Sequence, residues 1–159
     1  MATYDLVIIG LGSGGTLAAE FAAGELGLRV AAVERARIGG DCLWTGCVPS
    51  KTLIASARVA HTVRTADRFG VTAGPPDVDL AAVWKRIGAV QAEIAADDDS
   101  PDRFRSLGVD LFTGTARVTG YRQVTVDTDD GAVELEGRFV LVCTGSRPAM
   151  PSIPGLAEV

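Results

Sequence analysis

The chain has 159 residues, 15 basic and 20 acidic for a formal net charge of −5, with 47% hydrophobic residues against 22% charged. That is the balance of a folded globular domain or a piece of a larger one, not of a disordered or disulfide-dense chain. The basic residues are scattered singly, which argues against a nucleic-acid partner, and no apolar run approaches the roughly 20 residues of a membrane span.

Tyr4 to Ile9 is a short apolar, β-branched run ending at Gly10, the signature of a buried parallel strand. The residues around it lack the basic start, long apolar core and cleavage site of a secretory signal, so a cytoplasmic location is expected. Ser13 to Leu26 has helical composition, with Leu17 and Phe21 one turn apart and Gly27 as its stop. Arg29 to Val33 is a second buried strand closed by Glu34, completing a βαβ unit. From Pro49 to about Ala66, and again from Leu80 to Ala96, apolar residues fall at helical spacing, and the two segments are expected to form a helical hairpin. The acidic run Asp97 to Asp99 reads as a solvated helix end, and Ser100-Pro101 opens a last short helix that stops at Gly108. Beyond Val109 the pattern turns to strands, with Asp130-Gly131 as a hairpin turn. Phe139 to Cys143 reads as one more continuous apolar strand, and Pro148, Pro151 and Pro154 then favour a stiff extended strap.

Gly10, Gly12 and Gly15 supply a G-x-G-x-x-G pattern between a strand and a helix, with Ser13 and Gly14 inside it. Such glycines let the backbone approach a pyrophosphate lying on a helix N-terminus, where free N–H groups favour an anion. Glu34, at the end of the second strand, is placed to accept hydrogen bonds from a ribose 2′-OH and argues against a 2′-phosphate. These features indicate a dinucleotide site without separating NAD from FAD.

Cys42 and Cys47 flank Gly46 within GGDCLWTGCVPSK. A metal site normally wants four ligands in two close pairs. There is no second pair here, and the lone histidine, His61, reads as a helix-surface residue, so no metal site is expected. A structural disulfide and a redox pair both remain, and a cytosolic setting favours the second. Five residues of regular helix rise about 7.5 Å, more than the roughly 4.4–6.8 Å between Cα atoms that a disulfide tolerates. Irregular backbone is therefore expected between the cysteines, with regular helix from about Pro49. Cys47 would then lie near a helix N-terminus with Lys51 on the same face, which predicts that Cys47 holds the lower pKa of the two thiols.

Taken together, Gly10 to Gly15, the block Gly39 to Lys51, and Thr144-Gly145-Ser146-Arg147-Pro148 leading to Ile153-Pro154-Gly155 resemble the FAD domain of the flavoprotein disulfide reductases. That family of pyridine nucleotide-disulfide oxidoreductases includes dihydrolipoamide dehydrogenase, glutathione reductase and mercuric reductase. The resemblance covers the first third of such an enzyme. It implies an α/β, Rossmann-like FAD-binding domain over residues 1–147, with a parallel sheet, an inserted helical hairpin and a small antiparallel β-meander. Residues 148–159 would be a Pro-rich strap towards a further NAD(P)-binding domain. It implies non-covalent FAD, with Glu34 on the adenosine ribose, Ser13 and Gly14 at the pyrophosphate, Ala116 approaching the adenine, and Thr144 and Gly145 passing beneath the cofactor. Gly40, Asp41 and Gly46 complete the cofactor wall. Cys47 would be the thiol against the flavin, Cys42 the one exchanging with substrate, and Lys51 the charge near the reactive flavin nitrogen. In a complete enzyme NAD(P)H would be the donor, a disulfide or metal ion the acceptor, and the assembly a homodimer. Asp41 stands where the family usually has Thr, Trp44-Thr45 replaces an Asn-Val type pair, and Cys143 replaces a usual Ala. The alternatives are a stand-alone flavin or nucleotide module without turnover and, more distantly, an NAD-linked dehydrogenase that would leave the cysteine block without a role.

Overall fold

A computed structural model of the chain describes residues 2–158. One six-stranded sheet organises it, in the order β3-β2-β1-β6-β5-β4. The apolar run at the N-terminus forms β1 (Ala2–Ile9), which pairs in parallel with β2 (Val30–Glu34) on one side and β6 (Gly131–Val142) on the other. Outside β2, β3 (Val109–Thr113) extends the parallel part. On the far side β4 (Thr115–Gly120) and β5 (Gln123–Thr128) complete an antiparallel meander with β6. The architecture is the α/β fold expected, a parallel sheet with helices and an antiparallel meander.

Side chains alternate across the sheet, and each face has its own core. Ile8, Val30, Ala32 and Val109 point to the helical side, where they meet Ala19, Ala22, Ala23 and Phe104. Val7, Ile9, Ala31 and Val33 point the other way and are covered by Val124, Val126 and Leu135, so the meander curls over the parallel strands.

The first helix differs from expectation. Helix α1 (Ser13–Ala19) passes into a π-helical stretch, Glu20–Glu25, closed by Leu26 N–H donating to Phe21 O at 3.1 Å, and Gly27 ends it at φ +61°. Its alanines face the sheet, while Leu17 and Phe21 are 67% and 56% exposed, because only small residues fit where the helix rides close on the strands. Two strands expected at the C-terminal end are one: β6 runs unbroken through Gly137. A Cβ at Gly137 would stand 2.8 Å from Val7 Cγ2, so glycine there lets β6 lie tight against β1 where a side chain would force a break.

The cysteine block forms α2 (Gly40–Trp44) and α3 (Cys47–Arg64). With α4 (Leu80–Ala96), α3 makes the expected hairpin, in which Ile87 is buried and Val83, Val90 and Ile94 half-buried, while Leu80 at the end of the seam is exposed. Helix α5 (Pro101–Ser106) is capped by Ser100, whose hydroxyl accepts from Arg103 N–H at 3.2 Å. Past Val142 the chain has no regular structure until a single 3₁₀ turn, Leu156–Glu158. No helix among the described residues is long and apolar enough to cross a membrane.

Candidate functional site

The C-terminal ends of β1, β2 and β6 open on one groove of about 880 Å³, where parallel sheets place their ligands. Its floor is the glycine turn. Gly10 has φ +96°, and a Cβ there would lie 2.5 Å from the Cys143 carbonyl oxygen. Gly15 is closed off beneath, since its Cβ would stand 1.9 Å from Gly10 O. Gly15 therefore seats α1 on β1 and does not line the groove, a correction to its expected cofactor contact. Gly12 and Gly40 meet backbone to backbone, a Cβ on Gly40 coming within 2.8 Å of Gly12 Cα. Gly14 is the open position, its missing Cβ facing the groove with only Cys143 Sγ nearby, at 3.5 Å.

Glu34 ends β2 at the rim, and both carboxylate oxygens are already engaged. Oε2 accepts Leu11 N–H at 2.8 Å and Oε1 accepts Ala36 N–H at 2.9 Å. Each oxygen keeps a free lone pair for a ligand hydroxyl, so the carboxylate is held rigid and still able to accept. Gly12, Ser13, Gly14, Gly40, Asp41, Cys42, Ala116, Thr144 and Gly145 also line the groove. Sequence reasoning missed Arg35 and Arg147, two cations lining the same groove that suit a pyrophosphate. It also missed Cys143, read as a small core residue but half-exposed here beside Gly14.

The two cysteines stand on either side of a helix break. Thr45 (φ −133°, ψ −12°) and Gly46 (φ −116°, ψ −99°) leave helical geometry, and both their N–H groups turn back to Asp41 O, at 3.0 and 2.6 Å. The irregular backbone is as expected, although regular helix resumes at Cys47 rather than at Pro49. All three cysteines are free thiols, Cys42 half-buried and Cys47 exposed. Gly46, Cys47 and Lys51 do not line the groove; Cys47 is exposed at the start of α3, with Lys51 one turn on.

The predicted order of acidity is reversed. Cys42 is held below the ordinary thiol value, first by the Cys47 S–H donating to it, then by the Ser13 hydroxyl, with Lys51 adding positive charge against the effect of burial. Cys47 is raised because it gives its proton to that bond and faces the negative charge on Cys42. Asp99, expected to be solvated, is half-buried with its carboxylate against Gly39. Burial and then neighbouring Asp98 raise its pKa, against the pull of Arg103. Among the described residues no cluster of His, Cys, Asp and Glu could hold a metal ion.

The family of pyridine nucleotide-disulphide oxidoreductases matches residues 4–159, nearly the whole chain. The chain belongs to that family. It is 40% identical to the dihydrolipoyl dehydrogenase of Bacillus subtilis, with 98% of this chain aligned to 34% of that protein. To the mercuric reductase of Streptomyces lividans it is 37% identical, covering 98% of this chain and 33% of that one. Among solved structures, LpdA of Mycobacterium tuberculosis superposes with a TM-score of 0.76 at 28% identity, over 95% of this chain and 33% of LpdA. This segment therefore spans about a third of the length of the oxidoreductases it matches. The groove suits a dinucleotide, since its floor is bare glycine backbone and its lining includes the fixed Glu34 carboxylate together with Arg35 and Arg147.

Proposed function

We propose that the chain is the FAD-binding, redox-disulfide portion of an NAD(P)H-dependent disulfide oxidoreductase. The observation that carries this reading is the juxtaposition of the Cys42–Cys47 thiol pair with the glycine-floored groove, Cys42 itself lining that groove. Glu34 would hold the adenosine ribose, the turn at Ser13 and Gly14 with Arg35 and Arg147 the pyrophosphate, and Ala116 the adenine edge. Thr144 and Gly145 would support the cofactor from beneath, with Gly40 and Asp41 on the cysteine side. Bound there, FAD supplies a two-electron relay between NAD(P)H and the thiol pair.

The remaining chemistry belongs to the chain's own residues. Cys42, the more acidic thiol, attacks an acceptor disulfide, forming a mixed disulfide and releasing one thiolate. Cys47 then attacks the Cys42 sulfur, releasing the second thiolate and closing Cys42–Cys47. The two protons of the dithiol pass to the two product thiols, so a dithiol and a disulfide become a disulfide and two thiols. Lys51 steadies negative charge on either sulfur. In the complete, cytoplasmic and homodimeric enzyme, NAD(P)H would return the pair to the dithiol, and a metal ion is an alternative acceptor. Residues 148–159 would lead towards the NAD(P)-binding domain. By itself the 159-residue chain is expected to hold FAD weakly and to show no NAD(P)H turnover, because much of the enclosing surface, the donor site and a proton source lie elsewhere.

Rising FAD concentration should protect Cys42 from alkylation by iodoacetamide in the 159-residue chain, and Glu34→Ala should weaken that protection at least tenfold. No protection at millimolar FAD, or protection indifferent to Glu34→Ala, would refute the site.

A further inference from the structure

The break between the two cysteines leaves carbonyl groups to be accounted for. In a continuous helix Leu43 O and Trp44 O would accept from the N–H groups of Cys47 and Val48, four residues on. Here α2 ends at Trp44 and α3 starts anew at Cys47, so those N–H groups belong to another helix's first turn. Both carbonyls are instead served by one side chain from far along the chain. Gln91, half-buried on α4, donates through Nε2 to Leu43 O and to Trp44 O, each at 2.9 Å. One amide nitrogen carries two N–H donors, and this one spends both on adjacent carbonyls, an arrangement that only a fixed backbone satisfies.

The geometry points to Gln91 as a positioning residue for the cysteine pair: its amide holds the helix break open and so keeps the Cys42 and Cys47 sulfurs within reach of each other. The inference rests on the redox reading of that pair. Regular helix through Leu43 to Val48 would satisfy the same carbonyls internally, and it would separate the sulfurs beyond disulfide reach. Gly46 and Pro49 oppose that continuation from within the segment, and Gln91 opposes it from outside by removing the reward for it. The neighbouring contacts serve the same end: Trp44 Nε1 donates to Ile38 O at 2.8 Å, and the Arg37 guanidinium lies 3.9 Å from the centre of the Trp44 ring. Trp44 is thereby fixed on both its backbone and its ring, immediately before the break.

The test uses the 159-residue chain in glutathione redox buffers. Dithiol plus oxidised glutathione gives the Cys42–Cys47 disulfide plus two glutathione thiols, and peptide mapping after alkylation reads the equilibrium constant. Gln91→Met keeps the length without a donor, Gln91→Glu replaces the donor with an acceptor, and Gln91→Lys keeps a donor. The Met and Glu chains should lose about tenfold in the constant, which is about 30 mV for a two-electron couple. The Lys chain should stay within about threefold of the parent, whereas a space-filling role would make Met the mildest change and Lys the worst. A parent chain that forms no Cys42–Cys47 disulfide would overturn the redox reading itself. A parent that forms it, with folded Gln91→Met and Gln91→Glu chains at the parental constant, would overturn the positioning role alone. Loss of native circular dichroism in the Met and Glu chains would also overturn it, by showing that Gln91 supports the fold at large.

Discussion

Two neighbouring glycines of the turn should respond in opposite ways to the same methyl group. At Gly15 an added Cβ would stand 1.9 Å from Gly10 O and 3.4 Å from Ile8 Cγ2. A methyl carbon must retreat from that oxygen by more than an ångström, and the obstacle is backbone of the turn just after β1, with no flexible side chain to swing aside. Overpacking a core costs about 1–3 kcal/mol, and a rigid obstacle puts Gly15→Ala at the upper end, near 3. The helix-propensity gain of Ala over Gly returns about 0.5–1, leaving a net loss of about 2–2.5 kcal/mol. At Gly14 the nearest atom is Cys143 Sγ at 3.5 Å, ordinary contact, so Gly14→Ala should be neutral or stabilising by up to about 1 kcal/mol. Its methyl group fills the groove, however, and should abolish protection of Cys42 by FAD. Urea unfolding followed by circular dichroism measures both; for a chain of this size the Gly15→Ala loss corresponds to a midpoint lower by roughly 5–10 °C on heating. A Gly15→Ala loss under 1 kcal/mol, or an equal loss at Gly14, would refute the assignment of one glycine to packing and the other to the ligand.

Three further outcomes follow from the hydrogen bonds. Iodoacetamide at neutral pH should label Cys42 ahead of the more exposed Cys47, and Cys47→Ala or Ser13→Ala should each move the alkylation profile of Cys42 to higher pH; peptide mapping that finds Cys47 labelled first would contradict the order of acidity. Tyr4, buried and donating to Asp110 Oδ2 at 2.9 Å, has its pKa pushed up to about 12 by burial first and then by that bond. Its folded value lies above its unfolded value of about 10, so its contribution to stability is intact below pH 10 and is lost as pH rises from there towards 12. In a Tyr121→Phe chain, phenolate absorbance rising near pH 10 while the fold persists would contradict this. Glu34→Gln should destabilise by about 1–2 kcal/mol in urea, since its amide nitrogen cannot accept one of the two backbone N–H groups at the rim; an unchanged midpoint would mean that those bonds contribute nothing.

What could be read from the residues in advance was local. The glycine spacing after a β-branched run, the acid closing the next strand, and the conflict between helical rise and disulfide reach each involve neighbours, and the structure bears out the turn and the break. What escaped reading depends on partners distant in sequence. Leu17 and Phe21 advertise an apolar helix face, yet the sheet leaves room only for the alanines between them. Gly137 looks like an interruption until Val7 is seen against it. The acidity of Cys42 owes something, after Cys47 itself, to Ser13 in the distant glycine turn, and the break is held by Gln91 from another helix, a residue with no local signal to distinguish it.

The long strand β6 also sets an order of events in time. Leu6 of β1 takes its register from Phe139, almost the whole segment later, while its other neighbour, Val30, is close at hand. At synthesis rates of about 5–20 residues per second, β1 must wait on the order of ten seconds with one edge unpaired. During that interval β1 and β2 are a hydrophobic ribbon open to wrong partners, and the glycine turn lacks the wall that Cys143 and Thr144 later provide. Pairing of such high sequence separation is slow even in the finished chain. Folding yield should therefore be limited by the arrival and docking of residues 131–142, and chains interrupted just before them should aggregate rather than accumulate as a smaller stable domain.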